Sequence, residues 1–341
     1  MTDRTGSVHR PGRLPAAVRR PSVGGTGMRW VLLMALVLGS LAAGCGGGGG
    51  ATPAAATQSS RPEAVVQEYR PSDRQLDLTV RSEALGRTAQ VRLLTPDGWK
   101  PGASRRWPVL YLLHGCCDTY DSWTRSTGIA RLRQLRDVLV VMPEGGDVGF
   151  YSDWLDGPAW QDFHLRELPR ILEEGYGAGT RRAIAGLSMG GLGAMDYAAR
   201  RPRMFRAAAS FSGVLHPLAT PDLWLGLFAS YTDDPDAVWG DPREDRANWR
   251  RHDPTALLPA LDGIPLFVSA GDGRPGPFED GRGDIDPTEV EVGRETRAFV
   301  RRAKALDVPV RSDLYGAGIH DWPYWQRELY RALPLLLGAI R

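Results

Sequence analysis

Apolar and polar positions alternate at residues 75–81 (QLDLTVR) and again at 89–94 (AQVRLL), with Ala84-Leu85-Gly86 between them. A period of two over so few residues fits half-buried strands, and the short turn predicts an antiparallel pair. Five later segments are predominantly apolar without alternation: 108–113 (PVLYLL), 138–142 (VLVVM), 182–187 (RAIAGL), 207–212 (AAASFS) and 265–270 (PLFVSA). Runs of this length without alternation fit parallel strands covered on both faces. Helical periodicity falls between them, at 163–174, 190–201 and 290–306. Strand followed by crossover helix, repeated, predicts an α/β domain: a mostly parallel central sheet with helices on both faces and ligands near the strand ends.

Chemistry enters where one of these strands stops. Gly186-Leu187-Ser188-Met189-Gly190 fits G-x-S-x-G, with an apolar strand before it and an Ala-rich helix after it. In that setting the serine sits on a tight strand-to-helix turn, its hydroxyl exposed above the sheet, and the helix start directs free N–H groups at developing negative charge. Ser188 is the candidate nucleophile. A serine hydroxyl needs a base, and chain order in such domains runs nucleophile, acid, histidine. His320 follows Gly316-Ala317-Gly318-Ile319, a loop able to return the ring over the sheet. Two backbone donors should form an oxyanion hole: Met189 N–H, and Cys116 N–H in the loop after residues 108–113. The acid stays open on spacing alone. Asp272 follows the strand at 265–270, while Glu289, Glu291 and Glu295 open the next helix; spacing slightly favours Asp272.

Separated segments then point one way: Leu112-Leu113-x-Gly115, Phe150-Tyr151-Ser152-Asp153-Trp154, Trp160 with Glu167-Leu168-Pro169, Gly186-Leu187-Ser188-Met189, Ser212-Gly213, Trp239-Gly240 with Trp249 and Asp253-Pro254, and His320-x-Trp322-x-Tyr324-Trp325. On these the chain, over roughly residues 75–341, resembles the mycobacterial antigen-85-type mycolyltransferases and related putative esterases, which have the α/β-hydrolase fold. The resemblance implies acyl transfer through a serine ester, with Ser188 and His320 as nucleophile and base. It also implies a Glu acid ten residues before Phe299, which is Glu289, and leaves Asp272 as the fallback. The loop Leu113-His114-Gly115-Cys116-Cys117 lacks the family's sugar-associated Asp and Arg, and the family's disulfide has no matching pair here. These departures favour hydrolysis of carboxylic esters over transfer to trehalose. Transfer of an acyl chain to an envelope lipid or sugar is the first alternative. A non-catalytic binding protein on a hydrolase scaffold is the second. His114, Trp123, Tyr151, Trp154 and Trp325 are candidates for the substrate pocket. Cys116 and Cys117 are either two thiols or a vicinal disulfide.

Composition narrows the remainder. The chain has 341 residues with 42% hydrophobic content and 11 Trp, too apolar for a disordered chain. Its net charge of +2 is uneven: residues 1–44 hold six Arg and one Asp, a net of +5, so the remainder carries −3. That gives no case for a nucleic-acid partner. No Cys/His cluster has metal-ligand spacing, and no cofactor is expected. Residues 30–39 (WVLLMALVLG) form a short apolar stretch after Met28-Arg29, and Leu41-Ala42-Ala43-Gly44-Cys45 follows. Small residues before a Cys fit a lipoprotein signal. The expected organisation is a leader and signal over 1–44 with Met28 as the true start, a lipidated Cys45 on a flexible tether over 45–73, and a hydrolase domain over 74–341. This places the protein outside the cytoplasm, on the outer face of the membrane or secreted. Its expected partners are an acyl ester, an alcohol acceptor and, through Cys45, the membrane.

Overall fold

The computed structural model describes residues 61–102 and 104–341. The expectations for the leader, Met28 and Cys45 lie outside the described residues. Within them the chain forms one nine-stranded sheet in the order β1-β2-β3-β5-β4-β6-β7-β8-β9. The alternating segments become β2 (Gln75–Ser82) and β3 (Arg87–Leu94), an antiparallel pair as their pattern predicts. The continuous apolar runs become β4 (Trp107–Leu113), β5 (Leu139–Pro143), β6 (Ala178–Leu187), β7 (Ala208–Phe211) and β8 (Leu266–Gly271). From β5 across β4 to β9 (Val310–Gly316) every pairing is parallel. The sheet is therefore mostly parallel with an antiparallel edge, as the α/β-hydrolase resemblance implies.

The continuous runs are apolar because both faces are covered. In β4, Val109, Tyr111 and Leu113 enter one core, while Leu110 and Leu112 enter the other. Successive side chains point to opposite faces of a strand, so neither parity can be polar. The helices Met189–Arg200 and Pro287–Ala305 pack on the first face through Leu192, Met195, Val292 and Phe299. The last helix, Trp322–Ile340, packs on the second through Leu329, Leu333 and Leu336. Each such fully buried large side chain contributes about 1.5–3 kcal/mol through removal from water.

The expected boundary at residue 74 is corrected. A strand, β1 (Val65–Tyr69), precedes it and pairs antiparallel with β2. Only Val65 of its five residues is buried, so this edge strand carries no alternating pattern to read. β9 is likewise an edge strand: none of its seven residues is fully buried, and it has no apolar run.

Candidate active site

Ser188 joins β6 to the helix Met189–Arg200 with φ 52° and ψ −122°, a left-handed conformation that non-glycine residues rarely adopt. Its neighbours hold it there. Ser188 N donates to Phe211 O at the end of β7 (3.0 Å), and its carbonyl accepts from Gly191 N (2.9 Å). The flanking glycines are needed for close passage. A Cβ on Gly186 would lie 2.1 Å from Gly190 O, and one on Gly190 would lie 2.5 Å from His114 O.

His320 faces Ser188's end of the sheet and carries the second element of the site. Its Nδ1 lies 2.8 Å from Glu289 Oε2. A carboxylate only accepts, so the proton sits on Nδ1 and the Nε2 lone pair is left to act as base. Glu289 is fully buried in the first turn of the helix Pro287–Ala305. Its other oxygen accepts from Gly271 N (2.6 Å), Ser212 Oγ (2.9 Å) and Tyr315 OH (3.3 Å). Four donors thus offset the cost of burying one carboxyl group. The His320 ring also packs edge-on against Trp325, with centroids 4.9 Å apart.

Ser188 and His320 line one cavity of about 230 Å³, together with Cys116, Trp322 and Trp325. A larger groove of about 780 Å³ lies beside Glu63, Arg81 and Arg170, and none of the candidate residues lines it. The loop after β4 closes against Ser188: a Cβ on Gly115 would lie 3.2 Å from Ser188 Cβ. That places Cys116 on the cavity wall, with Met189 immediately after Ser188 at the helix start. Cys116 and Cys117 are joined as a vicinal disulfide, one of the two states left open by the sequence.

The structure separates the acid candidates. Asp272 does not reach His320; its carboxylate accepts from Arg274 Nε (3.0 Å) and Nη2 (2.7 Å), which holds its pKa below the ordinary value. Glu291 accepts from Thr220 Oγ1 (3.1 Å). Glu295 is buried and accepts from His216 N (2.9 Å) and Trp224 Nε1 (3.1 Å). Burial pushes its pKa up to about 8.

Of the five pocket candidates, only Trp325 lines the cavity. The other four are corrected. His114 is buried and ties two loops, accepting from Gly145 N (2.8 Å) at Nε2 and meeting Gly115 O (2.8 Å) at Nδ1. Tyr151 is buried and donates to His114 O (3.0 Å). Trp123 is buried, donates to Leu113 O (3.1 Å) and backs Trp322 from behind at 5.3 Å between centroids. Trp154 packs on the first core and donates to Gly149 O (3.3 Å). Large aromatics serve core and pocket equally well, so residue type alone does not separate them. Sequence reasoning assigned no role to Ser212, Tyr315, Asp286 or Trp322. Two of these had a signal: Ser212-Gly213 and Trp322 belong to the segments that carry the resemblance. Among the described residues there is no group of His, Cys, Asp and Glu able to hold a metal ion. Nor is any described helix long and apolar enough to cross a membrane.

Comparison with known proteins agrees with this architecture. The sequence matches the family described as putative esterase over residues 82–336. It is 31% identical over 282 residues to the diacylglycerol acyltransferase/mycolyltransferase Ag85B of Mycolicibacterium smegmatis, covering 75% of this chain and 82% of that protein. It is 31% identical over 245 residues to the esterase Rv1288 of Mycobacterium tuberculosis, covering 68% of this chain and 52% of that one. The crystal structure of Mycobacterium tuberculosis MPT51 superposes with a TM-score of 0.63 at 26% identity, covering 77% of this chain and 98% of that chain. The family match spans well over half of the sequence, and the chain belongs to the putative esterase family.

Proposed function

We propose that this protein hydrolyses carboxylic esters through an acyl-enzyme on Ser188, with His320 as general base and acid and Glu289 as its orienting partner. The chain is a serine-type esterase or acyltransferase by its family and relatives. The observation that supports the residue roles is the 2.8 Å contact of Glu289 with His320 Nδ1, beside a cavity that His320 shares with Ser188.

In this reading Ser188 Oγ attacks the ester carbonyl carbon while His320 Nε2 takes the hydroxyl proton. The carbonyl π pair moves to oxygen, and the resulting oxyanion is met by Cys116 and Met189 N–H groups. Collapse expels the alkoxide, which leaves as the alcohol with the proton from His320. Water, deprotonated by His320, then attacks the acyl-serine; collapse breaks the acyl–Oγ bond, Ser188 Oγ takes the proton back from His320, and the acid is released. An alcohol in place of water gives transfer by the same steps. The Ag85B relative, whose name specifies an acyltransferase, favours that second reading.

The extracytoplasmic placement is proposed on the sequence pattern around Cys45: an apolar stretch, small residues, then Cys. Residues 45 to about 64 would tether the hydrolase domain. A Cys45→Ala variant would then leave the membrane fraction; retention there would contradict the anchor.

The test of function is hydrolysis of p-nitrophenyl esters of several chain lengths, with and without an alcohol acceptor. Release of free acid by wild type, and loss of activity by several orders of magnitude in Ser188→Ala, is expected. Acyl-alcohol as the dominant product would select transfer, and equal rates in both proteins would remove Ser188 from the chemistry.

A further inference from the structure

We propose that Asp286 is a positioning residue that locks the acid and the base of this site to one another. The inference rests on the roles given above to Glu289 and His320. Asp286 precedes the helix Pro287–Ala305 as its N-cap. One carboxylate oxygen, Oδ1, accepts from Thr288 N (2.9 Å) and from Glu289 N (3.2 Å). The other, Oδ2, accepts from His320 N (2.8 Å). One side chain therefore holds the backbone of both residues, which are 31 positions apart in sequence.

Capping alone does not account for this. An N-cap uses one oxygen, and Ser or Asn serves there about as well as Asp. The second oxygen engages a loop that is no part of the helix. That loop is closed on the same side by the backbone: Asp286 N donates to Gly273 O (2.8 Å), and Gly273 N donates to Gly318 O (3.0 Å). Gly318 N in turn donates to Arg274 O (2.7 Å). The ring of contacts runs from the acid helix, through Gly273, to the histidine loop, and Asp286 is the only side chain in it. Without the Oδ2 contact, His320 keeps its side-chain bond to Glu289 and its loop keeps the bonds at Gly318, but the bond on His320's own N–H, the one nearest the imidazole, is lost. Misplacement of a catalytic group by about 1 Å costs on the order of 100-fold in rate.

Asp286→Asn and Asp286→Ser keep a capping oxygen and withdraw one of the two links. The experiment compares kcat, KM and melting temperature of both variants with wild type on one p-nitrophenyl ester. Asp272→Asn, on the same loop and bonded to Arg274 but to none of Asp286, Glu289 and His320, serves as control, and Ser188→Ala as blank. The expected result is a kcat lower by roughly 10- to 100-fold in both Asp286 variants. KM should stay within about twofold, melting temperature near wild type, and Asp272→Asn at wild-type kcat. Wild-type kcat in both Asp286 variants, with Ser188→Ala inactive, would overturn the positioning role alone. A loss of kcat matched by a fall in melting temperature would reduce Asp286 to a helix cap and also overturn it. Activity in Ser188→Ala would instead overturn the underlying reading of the site.

Discussion

Ser212 Oγ donates to Glu289 Oε1 at 2.9 Å, linking the end of β7 to the helix that carries the candidate acid. Ser212 has φ 46° and is buried, so its hydroxyl is aimed by the backbone as well as by the bond. Gly271 N and Tyr315 OH reach the same oxygen. Ser212→Ala removes one of three donors and leaves the carboxyl group in place. A lost hydrogen bond to a charged group is worth about 1.5–3 kcal/mol. With two donors remaining, kcat/KM is expected to fall by about tenfold, ~1.4 kcal/mol. Steady-state kinetics checks this; a wild-type value would show that Gly271 and Tyr315 suffice.

Glu289→Gln conserves volume but turns one oxygen into a donor. Three donors already converge on Oε1, so the amide nitrogen would face His320 Nδ1 and force the wrong tautomer. By analogy with the orienting acid of serine proteases, kcat should fall on the order of 10⁴-fold. Asp272→Asn, whose partner is Arg274, should leave kcat within about twofold. Reversal of that order would move the acid role to Asp272.

Trp322 lines the cavity and is half-buried, with Trp123 and Trp325 edge-on behind it. Removing its indole enlarges a space of about 230 Å³ and uncovers the edge of Trp123 behind it. Trp322→Ala should raise kcat/KM for long-chain relative to short-chain p-nitrophenyl esters. An unchanged ratio would place acyl selection elsewhere.

Glu295 contributes to pH dependence of stability. Its pKa is pushed up to about 8 by burial, against about 4.3 in an unfolded chain. Between those values the folded chain holds a proton that the unfolded chain has lost, so stability falls as pH rises through that window. Glu295→Gln does not titrate. Urea denaturation at a series of pH values from about 5 to 8 should show wild-type stability declining relative to Glu295→Gln. Parallel profiles would show that Glu295 does not bind the extra proton.

Legibility in the sequence followed physical uniqueness. The strands of the central sheet were readable because both faces of β4 to β8 are buried and their residues have no polar parity. Ser188 was readable because few residues tolerate its turn, and the glycines at 186 and 190 admit no Cβ. The acid was not readable from spacing, since Asp272, Glu289, Glu291 and Glu295 all lie near the right strand end. What separates them is which carboxyl group the helix Pro287–Ala305 turns toward His320, a tertiary fact. The pocket was the least readable. His114, Trp123 and Tyr151 are buried polar-tipped side chains whose partners are backbone groups: Gly145 N and Gly115 O for His114, Leu113 O for Trp123 and His114 O for Tyr151. β1 escaped because a sheet edge needs only one buried residue, Val65.

The central claim, that Ser188 is a nucleophile activated by His320, is tested most directly by a serine-directed phosphonate probe read by intact mass and peptide mapping. One adduct per chain is predicted, mapped to Ser188, absent in Ser188→Ala and formed far more slowly in His320→Ala. An unlabelled wild-type chain, or an adduct at another serine that persists in Ser188→Ala, would contradict it.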